Sequence, residues 1–414
     1  MSCGSTSFWH AHMYPVIIVT SCVLFSSPIL LYPQHNSILY QEYWYEPILS
    51  GSASFILTLS LDTLISLKYY FKDDSMVNLV VFIKLYVSTV TAWSLTCSLV
   101  YLFWTVGLGF NHPMPLTLSL GYIQYATQYI TLNLLFYQKE SLSENTKQAI
   151  RSFNISRVWA LFIDLQFKAL DFVFTFFSPN SSYQWILAFV IPLMREFNFQ
   201  IMHRIMIESP KVEGGTIPVI IGINSFNSLY VAIKLGQTAT PLTSTFILSI
   251  DFLLNIRSGF KIINLHRSTT TLDIPSSMRN LKEKDYHLLK LILIEMIEVL
   301  VPLAYVITVL IAYYGPNAEI LGNIRNDYWQ YKSIDDILKL VQVVLVMFII
   351  DGSSAVLVGC MLWKVCSIHF LRETYKLIGS SWPIIAVNIA NYLNYVSSNP
   401  LDHILRIFIQ ILLN

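Results

Sequence analysis

Residues 186–204 read ILAFVIPLMREFNFQIMHR, and the two halves of that stretch pull in opposite directions. The first half is apolar apart from Pro192, as a membrane span would be. The second half places Arg195, Glu196, Asn198, Gln200, His203 and Arg204 where a purely structural span would carry Leu. At about 100° per residue, Glu196, Gln200 and His203 share one helix face, with Arg204 at its edge and Met194, Ile201 and Ile205 on the far side. Lipid cannot satisfy such a face, so the segment needs a protein or water-filled partner. The stretch therefore predicts an all-α, polytopic membrane helix bundle with a polar interior.

The rest of the chain agrees in composition. Hydrophobic residues make up 54% of the 414 and charged residues 12%, and the mean hydropathy is +0.55. A soluble domain carries about a quarter charged residues, so this deficit implies many segments in lipid. A net charge of +1, with no basic tract, gives no case for nucleic acid. Cys3, Cys22, Cys97, Cys360 and Cys366 lie in or near apolar segments or at the ends and read as ordinary thiols. The first thirteen residues lack Lys and Arg, so the run from Pro15 to Tyr32 reads as an uncleaved first span.

About 20 apolar residues cross a bilayer. Ten stretches qualify: 15–32, 49–68, 78–104, 117–137, 158–177, 184–205, 217–236, 242–261, 288–313 and 336–361. Turn residues separate them, among them Pro33, Pro113, Pro179, Pro210, Pro241 and Gly315-Pro316. Lys and Arg are absent from 33–48, 108–116, 178–183 and 237–241, and only Arg325 and Lys332 lie in 314–335. The alternate loops hold Lys72, Lys139, Lys147, Arg151, Arg157, Lys211, Arg267, Arg279, Lys282 and Lys284. That alternation puts both termini in the cytoplasm. Asn180, in an outer Asn-Ser-Ser, is then a glycosylation acceptor, and Asn154, in an inner Asn-Ile-Ser, is not. Residues 1–363 read as one transmembrane bundle and 364–414 as a cytoplasmic or interfacial tail. Its stretches 383–396 and 401–414 read as short amphipathic helices, interfacial or capping the bundle, with an eleventh span as the alternative.

Polar stripes run through the spans at helical spacing. They include Thr58, Asp62 and Ser66; Asn224, Asn227 and Ser228; Ser244, Asp251, Asn255 and Ser258; Glu295 and Glu298; and Asp351. Asp164, Lys168 and Asp171 form a second, ionic line along the fifth span. The plain reading is structural. Ser and Thr bond their own backbone, and Asn and Gln tie helices together. Charge count favours more than that. An ionised residue at mid-membrane costs about 2.5–3.5 kcal/mol. Asp62, Asp164, Asp171, Glu196, Asp251, Glu295, Glu298 and Asp351 face only Lys84, Lys168 and Arg195, which leaves five acids without a base. Unpaired acids bind protons, bind a cation or line water.

The residues placed at the site are Arg195, Glu196, Gln200, Asn224, Asn227, Asp251, Asn255, Glu295, Glu298 and Asp351. Arg195, Asp251, Glu298 and Asp351 fall near the midplane, where transporters bind substrate. Pro192 and Pro302 sit beside them and permit helix breaks. In the outer loop 312–336, Arg325, Asp327 and Trp329 read as ligand contacts within an aromatic belt. No catalytic motif, phosphate loop or Cys/His metal spacing is present, and His10 and His12 read as incidental. The expectation is a proton- or cation-coupled solute transporter without cofactor or metal, not an enzyme, its partners being the bilayer, the cation and a small solute. An oligomeric cation channel is the first alternative, and a receptor or scaffold with structural stripes the second.

Overall fold

The computed structural model describes residues 13, 16–21, 57–70, 79–101, 126–135, 147, 150–159, 162–163, 166, 169–170, 184–207, 216–237, 241–269, 274–314 and 333–397. Every element among them is helical. The longest are α1 (Leu57–Tyr70), α2 (Leu79–Tyr101), α3 (Gln184–Ile207), α4 (Thr216–Gln237), α5 (Pro241–Thr269), α6 (Ile274–Tyr314), α7 (Ile334–Cys366) and α8 (Phe370–Ser397). Asp164, Lys168, Asp171, Asn180, Arg325, Asp327 and Trp329 lie outside the described residues, so the ionic line, the glycosylation site and the outer-loop contacts do too.

The architecture is organised around α6, which packs on α3's partner α5 and also on α4, α7 and α8. Its middle is buried on every side, and apolar there but for Glu295 and Glu298. Leu291, Leu293, Ile297, Val301, Ala304 and Tyr305 are all buried, which is the pattern of a central helix. α7 lies at the rim and is different. Ile337, Leu340, Val344, Met347, Asp351, Ser354, Val358 and Leu362 recur every three or four residues as one buried stripe. The opposite face is also apolar but exposed, with Leu338, Leu345, Ile349, Val356 and Trp363. Water does not tolerate that much apolar helix surface, whereas lipid does.

Among the described residues two stretches are long and apolar enough to cross a membrane, Glu283–Ile311 in α6 and Ile334–Cys366. Shorter apolar helices cover Leu79–Ala92 and Ile217–Ile233. α3 and α5 fall short because their charged and amide residues, Arg195, Glu196, Asn198, Asp251 and Asn255 among them, replace apolar ones.

Two local features differ from the sequence-based expectation. Neither Pro192 nor Pro302 interrupts its helix; α3 and α6 run through them. Each proline is buried against neighbouring helices, whose packing offsets the lost backbone bond. The stretch 383–396 is the second half of a 28-residue helix, α8. It packs on α1 and α4, and Ile384, Ile385, Ala386, Ile389 and Ala390 join the main core. That half of α8 is thus a bundle helix, not a separate interfacial one. α7 is closed at both ends. Ser333 and Asp336 form a reciprocal capping box, and Ser367 terminates the helix at φ 55 with its N–H on the Trp363 carbonyl. At Gly259 on α5 an added Cβ would stand 2.9 Å from Val358 Cγ1, so glycine sets how closely α5 and α7 approach.

Candidate functional site

Arg195 projects from α3 into the bundle centre, and only 2% of it is exposed. Its Nη1 donates to Glu298 Oε1 of α6 at 2.5 Å, and its Nη2 donates to Asp251 Oδ1 of α5. One guanidinium therefore ties three helices. Asn255, one turn beyond Asp251, donates to the other Glu298 oxygen at 3.4 Å. The planar fork of Arg suits this double contact in a way the point charge of Lys does not.

Two further acids adjoin that centre. Glu295, one turn before Glu298, accepts from Ser354 Oγ of α7 at 2.8 Å through one oxygen. Its other oxygen is buried without a hydrogen-bond partner. Asp351, 3% exposed, sits one turn before Ser354 and is near enough for its charge to interact with Asp251, Glu295 and Arg195. Among the described residues no Lys or Arg pairs with Glu295 or Asp351. Four buried carboxylates thus share one cation.

Asn224 of α4 completes the wall, donating to the Ile294 carbonyl at 3.2 Å beside Glu295. Asn227 and its neighbours are buried as well. The side-chain oxygens of Asn224, Ser225, Asn227 and Ser228 have no hydrogen-bond partner among the described residues. Buried oxygens of this kind call for water or a ligand.

Two more of the expected acids, Glu196 and Asp62, are neutralised by bases that the sequence reading left elsewhere. Glu196 accepts from Lys290 Nζ at 2.8 Å, with that ammonium also 4.2 Å from the Phe199 ring centroid. Asp62 accepts from Arg157 Nη1 at 2.6 Å and from Asn388 of α8 at 3.1 Å. Ser66, beside them, accepts from Arg157 Nη2 at 3.1 Å. A cavity of about 40 Å³ opens next to this cluster, lined by Arg157, Trp159, Phe226 and Asn388. Its size suits one or a few waters.

The expected surplus of five acids therefore shrinks. Six described acids face Arg157, Arg195 and Lys290, and the imbalance that survives sits around Arg195. Gln200 is exposed and takes no part. Lys84 is exposed too, so it neutralises nothing inside. Arg157 escaped the sequence reading because it was assigned to a loop, and Lys290 because it stands at the very start of the span 288–313. The usable signal was a base at the edge of an apolar run facing an orphan acid elsewhere.

Comparison with known proteins finds no matching family, no matching characterised protein and no matching solved structure.

Proposed function

We propose that the chain is a polytopic integral membrane protein of about ten crossings, with both termini in the cytoplasm. In this reading it couples movement of a proton or another small cation to that of a solute. The observation that carries it is the charge imbalance around Arg195: Asp251, Glu298, Glu295 and Asp351 against a single guanidinium. Such a cluster away from bulk water needs further positive charge, which a proton or a bound cation supplies. Arg195 then serves as the exchangeable counter-ion. When a cation arrives at Asp251 or Glu298, the guanidinium releases that carboxylate and stays with the other, and the contact between α3, α5 and α6 changes with it. Ser354 and Asn255 hold Glu295 and Glu298 in place, and the unpartnered oxygens of α4 line the approach.

The membrane part of the proposal rests on α7, whose exposed face carries Leu338, Leu345, Ile349, Val356 and Trp363. That same face supports a second reading. A further copy of the chain packed there would make an oligomeric cation channel, with the acids toward the pore.

Purified protein in liposomes separates these readings. Saturable cation or proton flux that depends on an imposed gradient supports the carrier. Linear current at high unitary rate supports the channel. Flux equal to that of empty liposomes across protons and alkali cations removes both and leaves a receptor or scaffold.

A further inference from the structure

Near the cytoplasmic end expected for α3, a second cluster lies apart from the acidic centre. His203 is eight residues beyond Arg195, about 12 Å along the helix. It faces Glu283 and His287 of α6, which are spaced four residues apart and so project from one side of that helix. One ligand atom from each of the three lies within 4.8 Å of the others. Two ring nitrogens, Nδ1 of His203 and Nε2 of His287, are buried and have no hydrogen-bond partner. His287 is only 9% exposed, so water does not readily serve it. The Tyr286 ring, with its centroid 4.0 Å from that of His203, limits how far the His203 imidazole can turn.

We propose that His203, Glu283 and His287 form a binding site for one divalent transition-metal ion of the zinc type. Two imidazoles and a carboxylate are a donor set such ions favour, with a fourth position left to water. Bonds of about 2.1 Å in a tetrahedral arrangement put donors ~3.4 Å apart. The observed separations therefore need only a modest closing of side-chain torsions. The neighbouring charges permit it. Lys290, a buried ammonium, is already engaged by Glu196 at 2.8 Å. Lys261 holds Glu283 at 3.3 Å, but its side chain is 49% exposed and can leave for solvent. Bound metal would join the end of α3 to α6, the two helices that Arg195 and Glu298 already join deeper in the bundle.

The test uses full-length, metal-stripped protein in detergent, titrated with Co²⁺ for its ligand-field absorption and with Zn²⁺ in competition with a chromogenic chelator. One ion per chain is expected. Glu283→Gln and His287→Asn are expected to weaken binding at least about tenfold. Lys261→Met removes the competitor for Glu283 and is expected to tighten binding about two- to fivefold, as loss of an exposed ion pair implies. Glu283 and Lys261 are both partly exposed, so those variants keep the test valid if His287→Asn fails to fold. No binding at micromolar free zinc overturns the proposal. So does binding that survives Glu283→Gln undiminished, or that Lys261→Met leaves unchanged. Its outcome is independent of whether the liposomes show flux.

Discussion

Replacing Arg195 by Leu removes the one cation that Asp251 and Glu298 share. Both carboxylates stay behind in a site where Arg195 and Glu298 are each 2% exposed. Breaking a buried ion pair from one side costs about 3–5 kcal/mol, because the surviving charge is left uncompensated. With two carboxylates abandoned, Arg195→Leu is expected to lose stability at the top of that range. The triple change Arg195→Leu, Asp251→Asn, Glu298→Gln removes all three groups of that contact, leaving only Glu295 and Asp351 beside it, and is expected to recover most of the loss, to within about 1–2 kcal/mol of the parent. Equilibrium unfolding in mixed micelles measures both. A cost under about 1 kcal/mol for Arg195→Leu, or a triple variant as unstable as the single one, refutes the placement of a shared buried guanidinium.

Other expectations concern packing, helix ends and topology. Gly259→Ala drives a methyl against Val358 Cγ1, 2.9 Å away on a stiff β-branched side chain, and should cost about 1–3 kcal/mol; adding Val358→Ala should restore much of it in the same unfolding assay. Ser333→Ala removes the cap of α7 and should cost about 1 kcal/mol. Ser367→Gly should stabilise by up to about 1 kcal/mol, because Ser367 sits at φ 55 where glycine is unstrained. Glycosylation mapping should find sugar at Asn180 and none at Asn154, whose side chain is buried in a helix and donates to Asn133 at 3.1 Å.

Much of the acidic centre was legible because helical spacing and depth along a span are both sequence properties. Arg195, Asp251, Glu298 and Asp351 were placed near one level by counting residues, and Arg195 does meet Asp251 and Glu298. What stayed hidden depends on which helices are neighbours. Glu196 shares a helix face with His203, yet its partner is Lys290, 94 residues on. Asp62 pairs with Arg157 and Asn388, which sit 95 and 326 residues away. Ser354 carries no signal of its own in the sequence, yet it holds Glu295 from another helix. The long α8 was obscured by Ser380, Ser381 and Pro383, turn formers in isolation that the core around Ile384 and Ile385 overrides. The capping box at Ser333 and Asp336 is a short-range motif and was readable. The cluster of His203, Glu283 and His287 was only half so, since Glu283 and His287 show the spacing while His203 comes from another helix.

Proton and alkali-cation flux into liposomes carrying the parent chain or the Glu295→Gln, Asp351→Asn pair tests the role of the acidic centre most directly. These two acids have no base among the described residues, so neutralising them should leave folding intact while cutting the carboxylates around Arg195 from four to two. Gradient-driven flux in the parent, lost at least about tenfold in the neutral pair while its unfolding midpoint holds, is the expected result. Equal flux from both proteins, or none from either, contradicts it.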